Sequence, residues 1–312
     1  MKKTFFAGLI IFVIGGVMLA IGLGKGGLRP IYWHDGLKID DPVSQSQSIS
    51  KVDTVNIKGQ AFRDFGAVTI RRGSTARVVV HASQSAGIHT QVSGHQLTVT
   101  NHPYDHDFLG QFSTAHHSDA VVITVPKSTQ IKRLNLSGAA NVVADHLKFQ
   151  RVTNSGDGNL RLVDASIAKK LVVAAHSYGD LTLEHANLGQ GLNVDTEGNL
   201  TVRNSQINRA NSHIQSGSGD VILDHNRWRD VKITNSEGDV SFKDQLVRRF
   251  FKVKTDEGDI DAKIPKKQSN TISTYSSDGD VNVYGISRYH YGRQAPARYQ
   301  LTSSDGDITV TR

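Results

Sequence analysis

The chain has 312 residues, with 36 Lys and Arg against 29 Asp and Glu, for a formal net charge of +7. It contains no cysteine, which excludes disulfide frameworks, thiolate metal sites, cysteine nucleophiles and a thioether-linked lipid. At 38% hydrophobic and 21% charged residues, the composition is that of a folding chain and not of a disordered one.

Residues 4–24 carry no charged side chain, and their apolar run is long enough to cross a hydrocarbon core as a helix. Lys2 and Lys3 precede this run and Lys25 and Arg29 lie beyond it, so the positive-inside balance is nearly even. A long domain after such a run translocates largely regardless of its charge. The expectation is a transmembrane signal anchor at 1–24, inserted through residues 4–24. The N-terminus lies inside, and the bulk of the chain lies outside the cell membrane. Gly22-Leu23-Gly24 also fits a leader-cleavage site, so removal of the segment stays open. Residues 25–50 read as a linker, because PVSQSQSIS from Pro42 to Ser50 is polar and aperiodic, like a flexible tether.

Residues 51–130 are expected to be β-rich but irregular, and to cap the more regular part of the chain. VDTVNI, GAVTIRRG, ARVVVHAS, HQLTVTN and AVVITVP read as strands, and Pro126 closes the last of them.

Residues 131–312 are a repeat. A Gly followed by Asp or Asn and then an alternating apolar pair recurs eight times, at Gly158, Gly179, Gly198, Gly219, Gly238, Gly258, Gly279 and Gly306. The spacing is 19 to 21 residues, except for 27 before the last copy. Apolar residues two and four places after each Gly, such as Leu181/Leu183 and Val221/Leu223, keep the period of a strand and mark one buried face. Around Leu192 and Val194 the register slips by one, which predicts a bulge. Twenty residues cannot bury their own apolar side, but stacked coils can, at about 4.8 Å per coil. The fold class expected is therefore all-β: a β-helix-like solenoid of about 20-residue coils behind one N-terminal helix. The turn Gly is expected in the left-handed conformation, with Asp or Asn beside it bonding nearby amides. The last strand, ITVTR from Ile308, is expected to leave an open sheet edge, over which residues 287–298 could fold.

An apolar N-terminal segment, an irregular β region ending in VVITVP, and ladders of S-x-G-D-[VIL]-x-[VIL] together resemble the bacterial "putative adhesin" family of β-strand-repeat proteins, which includes LiaG-like envelope proteins. The resemblance covers about residues 50–312. It implies an extracytoplasmic β-solenoid with an adhesin, scaffolding or envelope-stress role, and it supplies no catalytic residues and no cofactor.

Three constellations could carry chemistry. Acidic residues flank the turn Gly, among them Glu197, Glu237, Asp220 and Asp239. Stacking would align them in columns, read either as solvated turns, as a cation site, or as the carboxylate pair of a polysaccharide-acting enzyme. Eight to twelve residues after the Gly come Lys169, Lys170, Arg209, Arg229, Arg248, Arg249, Lys266 and Lys267. Stacked, they would line one edge suited to an anionic cell-wall polymer, anionic headgroups or an acidic envelope protein. Nucleic acid is not expected, since no nucleic-acid fold is recognisable. His102, His106, His116 and His117 share one Asp-bearing loop that could ligate a borderline metal. Nucleophile elbows, phosphate loops and zinc-protease motifs are absent from the sequence. The expected task is non-enzymatic envelope binding. Polysaccharide cleavage and contact with a membrane sensor stand as alternatives.

Overall fold

Each repeat folds into one coil because its apolar residues alternate in two short blocks separated by a corner. The unit that ends at Gly219 shows how. Leu200–Arg203 forms a short strand, Asn204 turns the chain, and Gln206–Ser216 returns it as a long strand. Successive short strands pair in parallel, Leu181–Glu184 with Leu200–Arg203 and that with Val221–Asp224. The long strands do the same. Among the described residues the result is two facing 14-stranded sheets. Their inner columns, such as Leu160, Leu181, Leu200, Val221, Val240 and Ile260, are fully buried and form one continuous core. The computed structural model describes residues 8, 12–17, 31–59, 65–102, 120–264, 270–287, 290–291 and 297–312. Within the expected anchor, Gly8 and residues 12–17 are helical, and the other residues of 1–24 lie outside the described ones. Among the described residues no helix is long and apolar enough to cross a membrane.

The turn glycines are not left-handed, which corrects the expectation. They are needed because the stacked turns approach too closely for a side chain. A Cβ on Gly219 would stand 2.2 Å from the Gly198 carbonyl oxygen, and one on Gly258 2.0 Å from that of Gly238. The Asp or Asn beside the turn Gly bonds an amide, but that amide belongs to the next coil. Asp220 N donates to Asn199 Oδ1 at 2.9 Å, Asp239 N to Asp220 Oδ1 at 3.0 Å, and Asp259 N to Asp239 Oδ1 at 2.9 Å. The left-handed residues occupy the other corner, where His146, Asp164, His185, Asn204, His225 and Asp244 have φ between 49° and 54°. The slip expected near Leu192 falls in the preceding strand, which shifts register between Val173 and Ser177.

The ends of the stack depart from chain order. The strands Thr54–Lys58 and Phe65–Gly73 form a coil seated between later ones. The first pairs with Ile131–Ser137 and Gln96–Asn101, the second with Ala140–Asp145 and Ala120–Pro126. Pro42–Ser48 is not a tether. It pairs antiparallel with Arg77–Ser83 and closes that edge with exposed polar residues. At the other end, Ile308–Thr311 is not the outermost strand. It sits between Ile260–Lys263 and Val281–Val283, as Ala297–Ser303 sits between Leu246–Thr255 and Asn270–Ser276. The outer edge is covered by the antiparallel pieces Ile286–Ser287 and His290–Tyr291. The 27-residue spacing is the excursion that this interleaving requires.

Asp53 ties the out-of-order N-terminal coils together. Its carboxylate lies 2.8 Å from Lys132 Nζ, 3.5 Å from His95 Nδ1 and 3.8 Å from Lys51 Nζ. The hydrogen bond from Lys132 holds this carboxyl below its ordinary value, against the opposing effect of burial. A depressed folded pKa stabilises above the ordinary carboxylate pKa, and the contribution fades as pH falls through the folded value. Asp53→Asn should therefore lower the urea midpoint near pH 7, with the gap to wild type closing below about pH 4. Equal midpoints across that range would show the pairing to be idle.

Candidate functional site

The long strands bend part-way along, and the bend sets the site. Arg227–Asn235 buries Trp228, then the adjacent Asp230 and Val231, so its alternation breaks there. Register shifts at the same place in neighbouring pairs, between Phe149 and Arg151, Ile207 and Asn211, and Trp228 and Asp230. A bulge turns consecutive side chains outward, and at this bend many of them are basic.

Arg209, Arg229, Arg248 and Arg249, from three successive coils, line a cavity of about 500 Å³ and are the only described residues in its wall. Buried Asp230 stands behind them. Its Oδ1 accepts the Phe250 amide at 3.2 Å and lies 3.5 Å from Arg249 Nε. Its Oδ2 accepts no hydrogen bond and has the Arg229 guanidinium 3.8 Å away. Arg229 also donates to the Arg209 carbonyl at 3.3 Å. The Arg249 guanidinium lies over the exposed Phe250 ring at 5.3 Å, and Arg298 approaches the same ring at 5.5 Å. Like charges about 4 Å apart repel by about 1 kcal/mol in water. An anion seated among four guanidiniums would relieve this, and the planar forks suit carboxylate or phosphate oxygens.

The structure thus gathers four of the eight basic residues singled out from sequence. Lys169 and Lys170 are exposed farther along the same bend, where Lys170 pairs with Arg151 and Arg151 with Arg133. Gly191 and Asn211 interrupt the basic row before the arginine cavity. Lys266 and Lys267 lie outside the described residues, as do His106, His116 and His117. Sequence reasoning missed Arg298, Phe250 and Asp230. Arg298 comes after the long spacing, and only the interleaved last coil brings it opposite Phe250. Asp230 breaks an otherwise apolar alternation, and that was the available signal. The acidic columns have a structural use, since Asp180, Asp220, Asp239 and Asp259 each accept an amide of the neighbouring coil.

A family model named Toastrack, DUF4097, matches residues 66–311. The chain belongs to the Toastrack family. Solved structures similar to this Toastrack chain include a "putative adhesin" from Bacteroides fragilis, at 11% identity over 86% of this chain and 97% of that one, with a TM-score of 0.46. A second "putative adhesin", from Parabacteroides merdae, shows 13% identity over 87% and 95%, with a TM-score of 0.39. A "putative lipid binding protein" from Parabacteroides distasonis shows 12% identity over 86% and 97%, with a TM-score of 0.41. No curated protein matches the chain.

Proposed function

We propose that this Toastrack protein is a non-enzymatic binding protein of the cell envelope, held to the membrane by residues 4–24, which grips anionic wall polymer at the arginine bend. The observation that carries this is the cavity whose described wall is Arg209, Arg229, Arg248 and Arg249. Phosphodiester-rich polymers such as teichoic acid offer repeated charges along a flexible chain, and coils stacked at about 4.8 Å offer repeated partners.

The test is binding of the full chain, purified in detergent, to cell walls with and without teichoic acid. Arg229 and Arg249 also neutralise Asp230, so their loss risks the fold. Arg209→Gln with Arg248→Gln is the cleaner variant. It should weaken binding about tenfold or more, with a reduced salt dependence, if each guanidinium gives a charge-assisted bond. Lys169→Gln with Lys170→Gln should do less. Equal binding to stripped walls, or no effect of the arginine variant, would sink the proposal.

A further inference from the structure

The left-handed corner carries a second chemistry, on a different edge from the arginine bend. Six successive coils each place one residue there in the left-handed conformation, so the side chains project in one row, about 4.8 Å apart. Along that row His146, Asp164 and His185 come in succession, and Asp145 adjoins the first. His146 Nδ1 lies 2.6 Å from Asp145 Oδ1, and its Nε2 3.3 Å from Asp164 Oδ2. The other Asp164 oxygen is 3.9 Å from His185 Nδ1. One donor atom each from Asp145, His146 and Asp164 fall within 4.8 Å of one another.

We infer that Asp145, His146, Asp164 and His185 form a binding site for a divalent transition-metal ion of the zinc, nickel or copper class. Two imidazoles with two carboxylates suit such borderline cations, whereas calcium favours oxygen alone. With neutral imidazoles the four side chains carry a net charge of −2, which a dipositive ion cancels. All four side chains are 41% to 63% exposed, so an ion reaches them from solvent. Donor separations at a tetrahedral zinc are about 3.4 Å for bonds near 2.1 Å, so small side-chain rotations bring Asp145, His146 and Asp164 onto one ion, and His185, 3.9 Å from Asp164, turns in as the fourth ligand. Three other charged groups lie nearby. Arg72 donates to the His146 and Lys127 carbonyls, and Arg161 pairs with Glu184 at 2.9 Å.

The molecule holds its own comparison. Asp224, His225 and Asp244 repeat the arrangement, with His225 bonded to Asp224 and its Nε2 3.4 Å from Asp244. There, however, Lys243 Nζ lies 3.2 Å from Asp224. Burial pushes the Asp224 carboxyl up, but the bonds from His225 and Lys243 outweigh it and hold it below its ordinary range. The position that Lys243 occupies beside Asp224 is filled beside Asp145 by Val163. In the coil stacked beyond Asp244, the place that corresponds to His185 is held by buried Ile264, next to Lys263, the partner of Lys243. The first group is therefore open to a cation, and the second already has one.

Untagged full-length protein titrated with Zn²⁺ by calorimetry, and with Cu²⁺ monitored by electron paramagnetic resonance, tests this. Asn204 shows that Asn is accommodated at this corner, so His146→Asn, Asp164→Asn and His185→Asn should keep the fold, which circular dichroism without metal verifies. Wild type should bind one equivalent with nitrogen ligation. The His146 and Asp164 variants should each lose about tenfold or more in affinity, and His225→Asn should bind as wild type. No binding, binding unchanged in His146→Asn and His185→Asn, or binding lost in His116→Asn with His117→Asn would overturn the assignment.

Discussion

Gly219→Ala is expected to destabilise the protein by about 3 kcal/mol, at the upper end for an overpacked site. Away from left-handed backbone, replacing Gly by Ala ordinarily stabilises by reducing unfolded-state entropy. The sign reverses here because the added Cβ would lie 2.2 Å from the Gly198 carbonyl oxygen and 2.4 Å from its carbon. Both atoms are backbone of the stacked turn and cannot rotate away. Relief requires the two coils to separate, and that breaks the bond from Leu200 N to the Asp220 carbonyl and the bond from Asp220 N to Asn199 Oδ1. The neighbouring residue gives the contrast. Asp220→Ala removes one accepted amide bond and should cost about 1 kcal/mol. Asp220→Asn should cost almost nothing, because Asn159 and Asn199 already do the same work. Chemical denaturation of the three variants, with hydrogen exchange at the amides of Leu200 and Val221, measures the order. If Gly219→Asn were tolerated, a left-handed turn would be the better account, since Asn accepts that conformation and Ala does not. If Gly219→Ala were no worse than Asp220→Ala, close approach would not be the reason for the glycine.

That contrast also marks how far the sequence could be read. The alternation at Leu181/Leu183 and Val221/Leu223 named the inner face correctly, because burial on one side of a strand leaves a period of two. The Gly and the Asp were visible as a turn, but their reason was not. A close approach between coils and a left-handed φ both select Gly, and spacing alone cannot separate them. The truly left-handed row lies six residues after five of the eight Gly, at Asp164, His185, Asn204, His225 and Asp244. Asp, Asn and His are enriched in that conformation, so aligning the repeats would have exposed the row and with it the histidine–carboxylate corner. The basic bend was half legible. The arginines recur at repeat spacing, but Gly191 and Asn211 divide the row. Chain order at the ends was not legible at all, since every coil presents nearly the same apolar column and pairs equally well with several neighbours. The Pro42–Ser48 strand was missed for a related reason. An edge strand protected by polar residues has the composition of a tether.

Deleting residues 297–312 is expected to unseat two coils, not one. Ala297–Ser303 and Ile308–Thr311 are the only described strands that join Asn270–Ser276 and Val281–Val283 to the rest of the parallel stack. Tyr299 is the centre of that joint. It stacks with Phe242 at 6.4 Å and contacts Phe251 at 5.6 Å, and its hydroxyl donates to the Gln245 carbonyl at 3.2 Å. Gln245 in turn accepts the indole N–H of buried Trp228 at 2.7 Å. Burial raises the Tyr299 phenol well above its ordinary value, so it remains a donor at any physiological pH. Tyr299→Ala alone should cost about 3–5 kcal/mol by analogy with other large aromatic truncations. The deletion should exceed that and expose the Phe242 and Phe251 rings. Hydrogen exchange read by mass spectrometry decides it. Peptides covering 270–283 should lose protection completely, and those covering 246–263 should lose it in part, while 140–200 remains protected because solenoid coupling is mainly between nearest neighbours. Had the coils stacked in chain order, residues 270–283 would sit directly on 246–263 and keep their protection after the deletion. Persisting protection there would mean that Ile272 had taken the place of Tyr299 over Phe251, leaving a cavity where the phenol ring was. The interleaved order would then be a preference of a few kcal/mol set by that ring, and not a requirement of the fold.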